Sequence, residues 1–513
     1  TYAHQAHEGP DATEGPLDRF RNLIESYDLT GEEDCSFADL GIDSLALAEL
    51  RGDLQALLEE HGAGELAEEV NTRLLQRLTV AEFFRLMRHF GEGSGQPLQA
   101  LREQLDQISA EYDAYETTQM RADARLPLPA LPPARAGVPS EILLTGATGF
   151  LGPFLLSSLL GQTSCTLHAL VRATDAAHGL DRIIAGLRQA QLWSPALEAE
   201  VRARVRVICG DLAEPDLGIG EAAFQRLAES VDAIVHNGAL VNYVRTYDAL
   251  RPANVVGTHQ LLRLAMTAHR KTFHLVSSTF IYGWSVKPVV GESDANAEMS
   301  ALDFGYSQTK WVAEQLVLAA QRQGLDVRIY RPSLISPTSA GFGTQDDILV
   351  RTMAFMIEHG IAANALNQLS LLPADLIADH IVALMDLPAE AGTVFNMTAD
   401  DYYNLVDITR ILSERYGYRF AYHDIPSFAE QMNRRSTPRD PIYPLVDFLT
   451  RSADKIAAMR DKRYGNTQYR HARALAKVHL REPALTETVD NLVRFLRSER
   501  LITENQSEKR RIA

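Results

Sequence analysis

Leu17, Phe20, Leu23, Ile24 and Tyr27 recur at the three-to-four-residue spacing of one helix face. Leu45, Leu47, Leu50, Leu54, Leu57 and Leu58 repeat the pattern, as do Val80, Phe83, Phe84, Leu86 and Met87. Residues 15–90 therefore predict a small bundle of about four helices. Residues 1–14, rich in Gly, Pro, Asp and His, predict a flexible lead-in. Punctuation follows over 91–139. Residues 91–97 read as linker and 98–116 as one exposed polar helix, while 126–139, with five prolines, must be extended and semi-rigid. At Glu141 the rhythm changes to short apolar runs alternating with helical stretches. Strands are predicted at 141–145, 166–171, 204–208, 231–235, 272–276 and 326–330. Helices are predicted near 150–160, 178–191, 221–229, 253–269 and 306–323. Such alternation predicts an α/β fold built on a doubly wound parallel sheet over 140–339. Beyond Pro332 it fades, and 340–505 reads as a mainly helical substrate-binding subdomain with short strands, a lid over the strand ends that would form the acyl pocket.

Composition narrows the class. Among 513 residues, 46% are apolar and 23% charged, enough to build ordinary cores. A net charge of -17 argues against nucleic acid and against an anionic membrane surface. The 15–90 bundle carries more acidic than basic side chains, which suits basic partner surfaces. No apolar run approaches the roughly 18 residues of a membrane span, and no secretory leader opens the chain. The first residue is Thr rather than Met, which suggests a piece of something longer, or processing. Cys35, Cys165 and Cys209 are scattered, without metal-ligand spacing, and fit a reducing cytoplasm. The glycosylation-type triplets at Asn396 and Asn505 then read as chance.

Three places carry candidate chemistry. The first is Asp43-Ser44-Leu45, where a loop meets a helix. By itself Asp43 or Ser44 is a good helix N-cap. The second is the run 142–152, Ile-Leu-Leu-Thr-Gly-Ala-Thr-Gly-Phe-Leu-Gly, an apolar strand entering a glycine turn and then a helix. Gly146, Gly149 and Gly152 let the backbone turn tightly and approach a pyrophosphate, with Thr148, Phe150 and Leu151 beside it and a helix N-terminus facing the charge. The second strand ends in Arg172 where an acidic residue would favour NAD, and Arg182 follows on the next helix. Two cations there suit the 2'-phosphate of NADPH; either alone would read as a solvated surface arginine. Asp211 and Leu212 end the third strand, on the adenine side. Asn237, Gly238 and Ala239 end the fourth, on the ribose and nicotinamide side. His236 is better read as a packed strand-end residue than as a base.

The third place combines Ser278, at the end of the fifth strand, with Tyr306 and Lys310, four apart on one helix face. With 17 tyrosines, a lone Tyr-x-x-x-Lys is close to chance; the glycine turn and the serine ahead of it make it informative. Thr279 is the reserve for Ser278.

The stretch Phe-Ala-Asp-Leu-Gly-Ile-Asp-Ser-Leu-Ala-Leu-Ala-Glu-Leu at 37–50 resembles the attachment site of acyl and peptidyl carrier proteins. That resemblance implies a four-helix carrier at 15–90 with 4'-phosphopantetheine on Ser44, installed by a phosphopantetheinyl transferase. From 120 to 500 the chain resembles the extended short-chain dehydrogenase/reductase family. Within it, the likeness is to terminal thioester reductase domains of nonribosomal peptide and polyketide synthases and to the reductase part of carboxylic acid reductases. The likeness rests on the glycine turn, Val-Arg-Ala at 171–173, Gly-Asp-Leu at 210–212, Gly-Ala-Leu-Val-Asn at 238–242, Tyr306, Lys310 and Arg331-Pro332. It implies NADPH-dependent off-loading of an acyl or peptidyl thioester as an aldehyde or alcohol, with Ser278, Tyr306 and Lys310 catalytic. An upstream synthase or adenylation domain would load the carrier. Three other readings stand against it: a redox-inactive binding module, release by cyclisation without reduction, and a sugar epimerase or dehydratase. Tyr306 and Lys310 count against the first, the tyrosine against the second, and Arg172 with the carrier against the third. The apolar residues Leu349, Val350, Phe355, Met356, Leu371 and Leu372 read as core rather than as acyl contacts.

Overall fold

The computed structural model of the chain describes residues 36, 44–60, 64, 70–82, 98–135, 137, 139–294, 299–478 and 481–503. The helix face expected at Leu17 to Tyr27 and the Phe83 to Met87 part of the face begun at Val80, together with Cys35, Asp43 and Asn505, lie outside the described residues. The chain divides into two compact units, 1–116 with 244–249, and 117–243 with 250–513.

In the smaller unit, Ser44 begins helix α1 (Ser44–Glu60). The Leu-rich periodicity is its cause: Leu47, Leu50, Leu54 and Leu58 are buried, and Leu45 is turned outward. Helix α2 (Thr72–Arg77) is capped by Asn71, whose side chain accepts from the Leu74 amide. The Arg77 guanidinium, buried on α2, meets Asp113 at 2.9 Å and Glu116 at 2.7 Å on helix α3 (Leu98–Asp123). Helix α3 runs seven residues past its expected end. Its last turn buries Met120 and Asp123, and Asp123 is held there by Arg251 at 2.6 Å, inside the larger unit.

In the larger unit, strands β1 (Glu141–Thr145), β2 (Thr166–Val171), β3 (Val205–Cys209), β4 (Ala233–His236), β5 (Thr272–Val276), β6 (Val327–Pro332) and a late strand at Val394–Met397 form one sheet. Their order is β3-β2-β1-β4-β5-β6 followed by the late strand, every pairing parallel. This is the doubly wound order, with its reversal between β1 and β4, where such sheets bind ligands outside the strand ends. The crossovers are α4 (Gly152–Gln162), α5 (Ala176–Gln189), α6 (Pro195–Arg204), α7 (Glu221–Ser230), α8 (Gly257–Ala265) and α9 (Gly305–Arg322). Helix α6 was not expected. Ser194 caps it and Pro195 opens it, but Val201 is its one buried residue among those described.

Residues 371–397 return to the sheet instead of lying over it. A helix at Ala374–Met385 buries Ile377, Ala378, Ile381 and Val382 in the same core as Leu155, Leu156 and Leu159 of α4. The late strand then pairs with β6, Phe395 beside Tyr330. The longer of the further helices in the C-terminal region are Ile348–His359, Leu405–Tyr416, Ile425–Arg435 and Leu485–Ser498. Asn396, the first glycosylation-type position, is fully buried and donates to the Gly465 carbonyl at 2.8 Å. Among the described residues, no helix is long and apolar enough to cross a membrane.

Candidate active site

The glycine turn after β1 is built by steric exclusion. Gly146 has φ +72°, and a Cβ there would lie 2.7 Å from the Gly238 nitrogen. A Cβ on Gly152 would lie 2.2 Å from the Gly146 carbonyl oxygen, so α4 can begin against the turn only with glycine. At Gly149 a Cβ would meet only the Gly146 oxygen, at 3.5 Å. Gly149 thus faces open space at the start of α4, where backbone N–H groups favour an anion. Asn237 braces the turn by donating to the Gly146 carbonyl at 3.2 Å, and the Gly238 amide donates to Thr145 Oγ1 at 2.9 Å.

Two cavities flank this turn and share Gly146, Gly149, Gly238 and Ala239. One, of about 250 Å³, is lined by Thr148, Arg172, Arg182, Asp211 and Leu212. Arg182 donates to the main-chain oxygen of Arg172, and both arginines border this cavity. The other, of about 350 Å³, is lined by Phe150, Leu151, Asn237, Ser278, Tyr306 and Lys310. Every sequence-predicted residue of the larger unit except Gly152 thus lines one cavity or the other. Gly152 acts from behind the turn. Ser44 belongs to the smaller unit, and its side chain lies outside the described residues. The arrangement fits a dinucleotide: a cradle that a side chain would fill, a helix N-terminus, and paired cations at one end.

Tyr306 and Lys310 sit in the first turns of α9 on one face, Lys310 Nζ 5.9 Å from the Tyr306 ring centre. Burial pushes the Tyr306 hydroxyl well above the ordinary phenol value of 10. The Lys310 ammonium donates to the Val276 carbonyl at 2.9 Å. Lys310 is itself pushed down to about 8 by burial, with the Glu314 carboxylate opposing.

Ser278 caps the turn after β5 and lines the cavity. Thr279, its reserve, interacts with Tyr464 and is not among the lining residues described. The neighbouring Ser277 donates to Glu314 Oε1 at 2.5 Å. Glu314 also takes the Arg331 guanidinium, at 2.6 and 3.0 Å, with both partners buried. That pair ties the end of β5 to α9 and β6, one helical turn beyond Lys310. His236 is a packed residue. Its Nδ1 lies 2.8 Å from Thr145 Oγ1 and its Nε2 2.9 Å from Thr258 Oγ1, and burial pushes it down to about 3.

Tyr243 and Asp347 are among the cavity residues that escape sequence reasoning. Tyr243 packs edge-on against Tyr306, ring centres 6.2 Å apart, with its hydroxyl pushed up by burial and by Asp347. Asp347 caps the Ile348–His359 helix, accepting from the Leu349 and Val350 amides, while burial pushes its carboxyl up to about 6. The readable signal for Asp347 was only that of an N-cap ahead of an apolar helix. Among the described residues, no group of three His, Cys, Asp or Glu side chains could hold a metal ion.

Residues 144–381 match the NAD-binding family described as "Male sterility protein". The chain is 39% identical over 280 residues to a linear gramicidin synthase polypeptide of Brevibacillus parabrevis, a match that covers 53% of this chain but only 5% of that synthase. The terminal R domain of the myxalamid PKS-NRPS pathway superposes with a TM-score of 0.69 at 29% identity, covering 76% of this chain and all of the other. A thiolation-reductase di-domain from an archaeal nonribosomal peptide synthetase covers 97% of this chain and 99% of its own, with a TM-score of 0.66. At 18% identity it is a likeness of fold alone.

Proposed function

We propose that this chain is the off-loading end of a synthase: a carrier followed by an NADPH-dependent reductase that releases the carrier-bound acyl or peptidyl thioester as an aldehyde, or as an alcohol after a second reduction. The observation that carries this reading is the pair of cavities sharing one glycine turn, with Arg172 and Arg182 at one end and Ser278, Tyr306 and Lys310 at the other.

Arg172 and Arg182 would hold the 2'-phosphate, Asp211 and Leu212 the adenine, and the start of α4 the pyrophosphate. Asn237 to Ala239 would line the ribose and nicotinamide, with Lys310 reaching the ribose. The dinucleotide, when bound, supplies hydride to the thioester carbonyl carbon. Negative charge then develops on the carbonyl oxygen, and the Tyr306 and Ser278 hydroxyls are the donors aimed at it. Tyr306, held protonated by burial, gives up its proton only as a compensating cation comes near; the Lys310 ammonium is that cation within this chain. The thiohemiacetal hydroxyl would then return its proton to the Tyr306 oxygen as the carbon–sulfur bond breaks, and the thiolate, a ready leaving group because its thiol has a pKa near 8.5, takes a proton from solvent. Ser44 would carry the substrate on 4'-phosphopantetheine, attached by a phosphopantetheinyl transferase and loaded by an upstream synthase or adenylation domain in the cytoplasm.

The test uses the full chain converted to its phosphopantetheine form and loaded with an acyl group, following NADPH absorbance and product mass. Tyr306→Phe should lower the rate by at least roughly 100-fold. Ser44→Ala should abolish turnover of the carrier-loaded substrate but not of a free pantetheine thioester. NADPH consumption indifferent to Tyr306→Phe refutes the assignment.

A further inference from the structure

Beside the catalytic cavity lies an apolar one of about 170 Å³ in the C-terminal region. Leu334 lines both, so the two cavities adjoin at this residue. Ile348 and Leu449 also line the apolar cavity, and both pack against the aromatic cluster that holds Tyr306 and Tyr243. Phe428, Ala429 and Met432, one face of the Ile425–Arg435 helix, close its far side. Its polar lining groups are engaged elsewhere: the Thr352 hydroxyl donates to the Ile348 carbonyl at 2.7 Å, and the Asn367 amide to the Ile456 carbonyl at 2.6 Å. The walls facing the space are therefore hydrocarbon.

We infer that this cavity takes the distal hydrocarbon part of the acyl group, entering past Leu334, while the thioester carbonyl stays at Tyr306. The inference rests on the reading of the substrate as an acyl thioester. An apolar cavity of about 150 Å³ takes up benzene, so this one fits a group of about six carbons. A charged or strongly hydrated terminus has no partner there and would lose its water uncompensated. The substrate class is thus an aliphatic or aryl-terminated acyl chain. Leu349 contributes to this cavity, whereas Val350, Phe355, Met356, Leu371 and Leu372 are buried core residues.

The experiment measures the affinity of the full chain, saturated with NADP⁺ so that nothing is reduced, for acetyl, hexanoyl and decanoyl pantetheine thioesters by calorimetry. Each methylene that enters should tighten binding roughly fourfold, so decanoyl should bind at least roughly 100-fold better than acetyl. Ala429→Trp, which fills the cavity, should bring that ratio to within roughly threefold of unity, and Met432→Ala should move the optimum to longer chains. Thermal melting checks that each variant folds; should Ala429→Trp fail to fold, Met432→Ala still decides. A wild-type affinity flat with chain length, or a ratio unchanged in the folded variants, overturns the inference. Chain-length-dependent binding that follows the variants, with no thioester reduced by NADPH, upholds the cavity and refutes the reductase reading alone.

Discussion

If the chain uses NADPH as proposed, Arg172→Ala should narrow its preference for NADPH over NADH without abolishing it. Arg172 is exposed at the end of β2, and Arg182 is half-buried on α5. Arg182 donates to the main-chain oxygen of Arg172, an acceptor that the alanine keeps. The substitution therefore removes one cation and leaves the other in place. A hydrogen bond to a charged group is worth about 1.5–3 kcal/mol, and exposure puts Arg172 at the low end, about 1.5 kcal/mol. That is roughly a tenfold loss. Arg182→Ala, from a drier position, should cost roughly 30-fold, and the two will not add if both hold one phosphate. The assay is steady-state kcat/KM with NADPH and with NADH at fixed thioester, at low and moderate salt. NADPH should fall about tenfold and NADH stay within about twofold, with a smaller NADPH effect as salt screens the pair. Equal loss with both cofactors, or no loss with NADPH, would show that the arginines do not read the 2'-phosphate.

The other predictions concern charge held away from water. Lys310 loses its proton near pH 8 instead of 10.5, so kcat/KM for NADPH should fall above pH 8 in a pH-rate profile. Stability should move the opposite way: between pH 8 and about 10 the unfolded chain keeps protons that the folded one has given up, and denaturant titrations should show unfolding free energy rising with pH. Lys271 and Lys462, also pushed down to about 8 by burial, share that trend, so Lys310→Met should remove only part of it. Arg331→Met strands the buried Glu314 carboxylate and should cost about 3–5 kcal/mol. The double variant Arg331→Met with Glu314→Leu should recover most of this in urea denaturation, and a double variant no better than the single would deny the pairing.

The strands were legible where apolar runs end in glycine, proline or polar residues. The runs at 141–145, 166–171 and 272–276 fold as read, and the starts of β3 and β4 shift by one and two residues. What stayed hidden depends on distant partners. Val394–Met397 is four residues long, and its partners in the sheet lie 65 positions earlier. Nothing local says that it completes a sheet begun at Glu141. The polar end of α3 is helical because Arg251 neutralises Asp123, and that partner is 128 residues away. Helix α6 had readable signals in Ser194 and Pro195, but a single buried residue leaves almost no amphipathic pattern to find.

Within the site, the legible residues were those in contiguous stretches: the glycine turn, and the tyrosine and lysine one helical turn apart. Tyr243 and Asp347 were not, because each lies in a loop whose cavity position is set by other elements. His236 marks the boundary between the two cases. A histidine at the carboxyl end of a parallel strand stands where ligands bind, and locally it could be a base or a packed ring. The hydrogen bonds decide. Thr258 donates its own hydroxyl hydrogen to the Asn254 carbonyl at 2.6 Å, so toward His236 it can only accept, which puts the imidazole hydrogen on Nε2. Thr145 accepts from the Gly238 amide and is left to donate to Nδ1. Both nitrogens are then satisfied by one turn and one helix, and burial opposes a second proton. A base needs a free lone pair facing the substrate. This ring spends its lone pair holding Thr145 under the glycine turn, which makes it part of the cofactor cradle's scaffold rather than of the proton chemistry beside it.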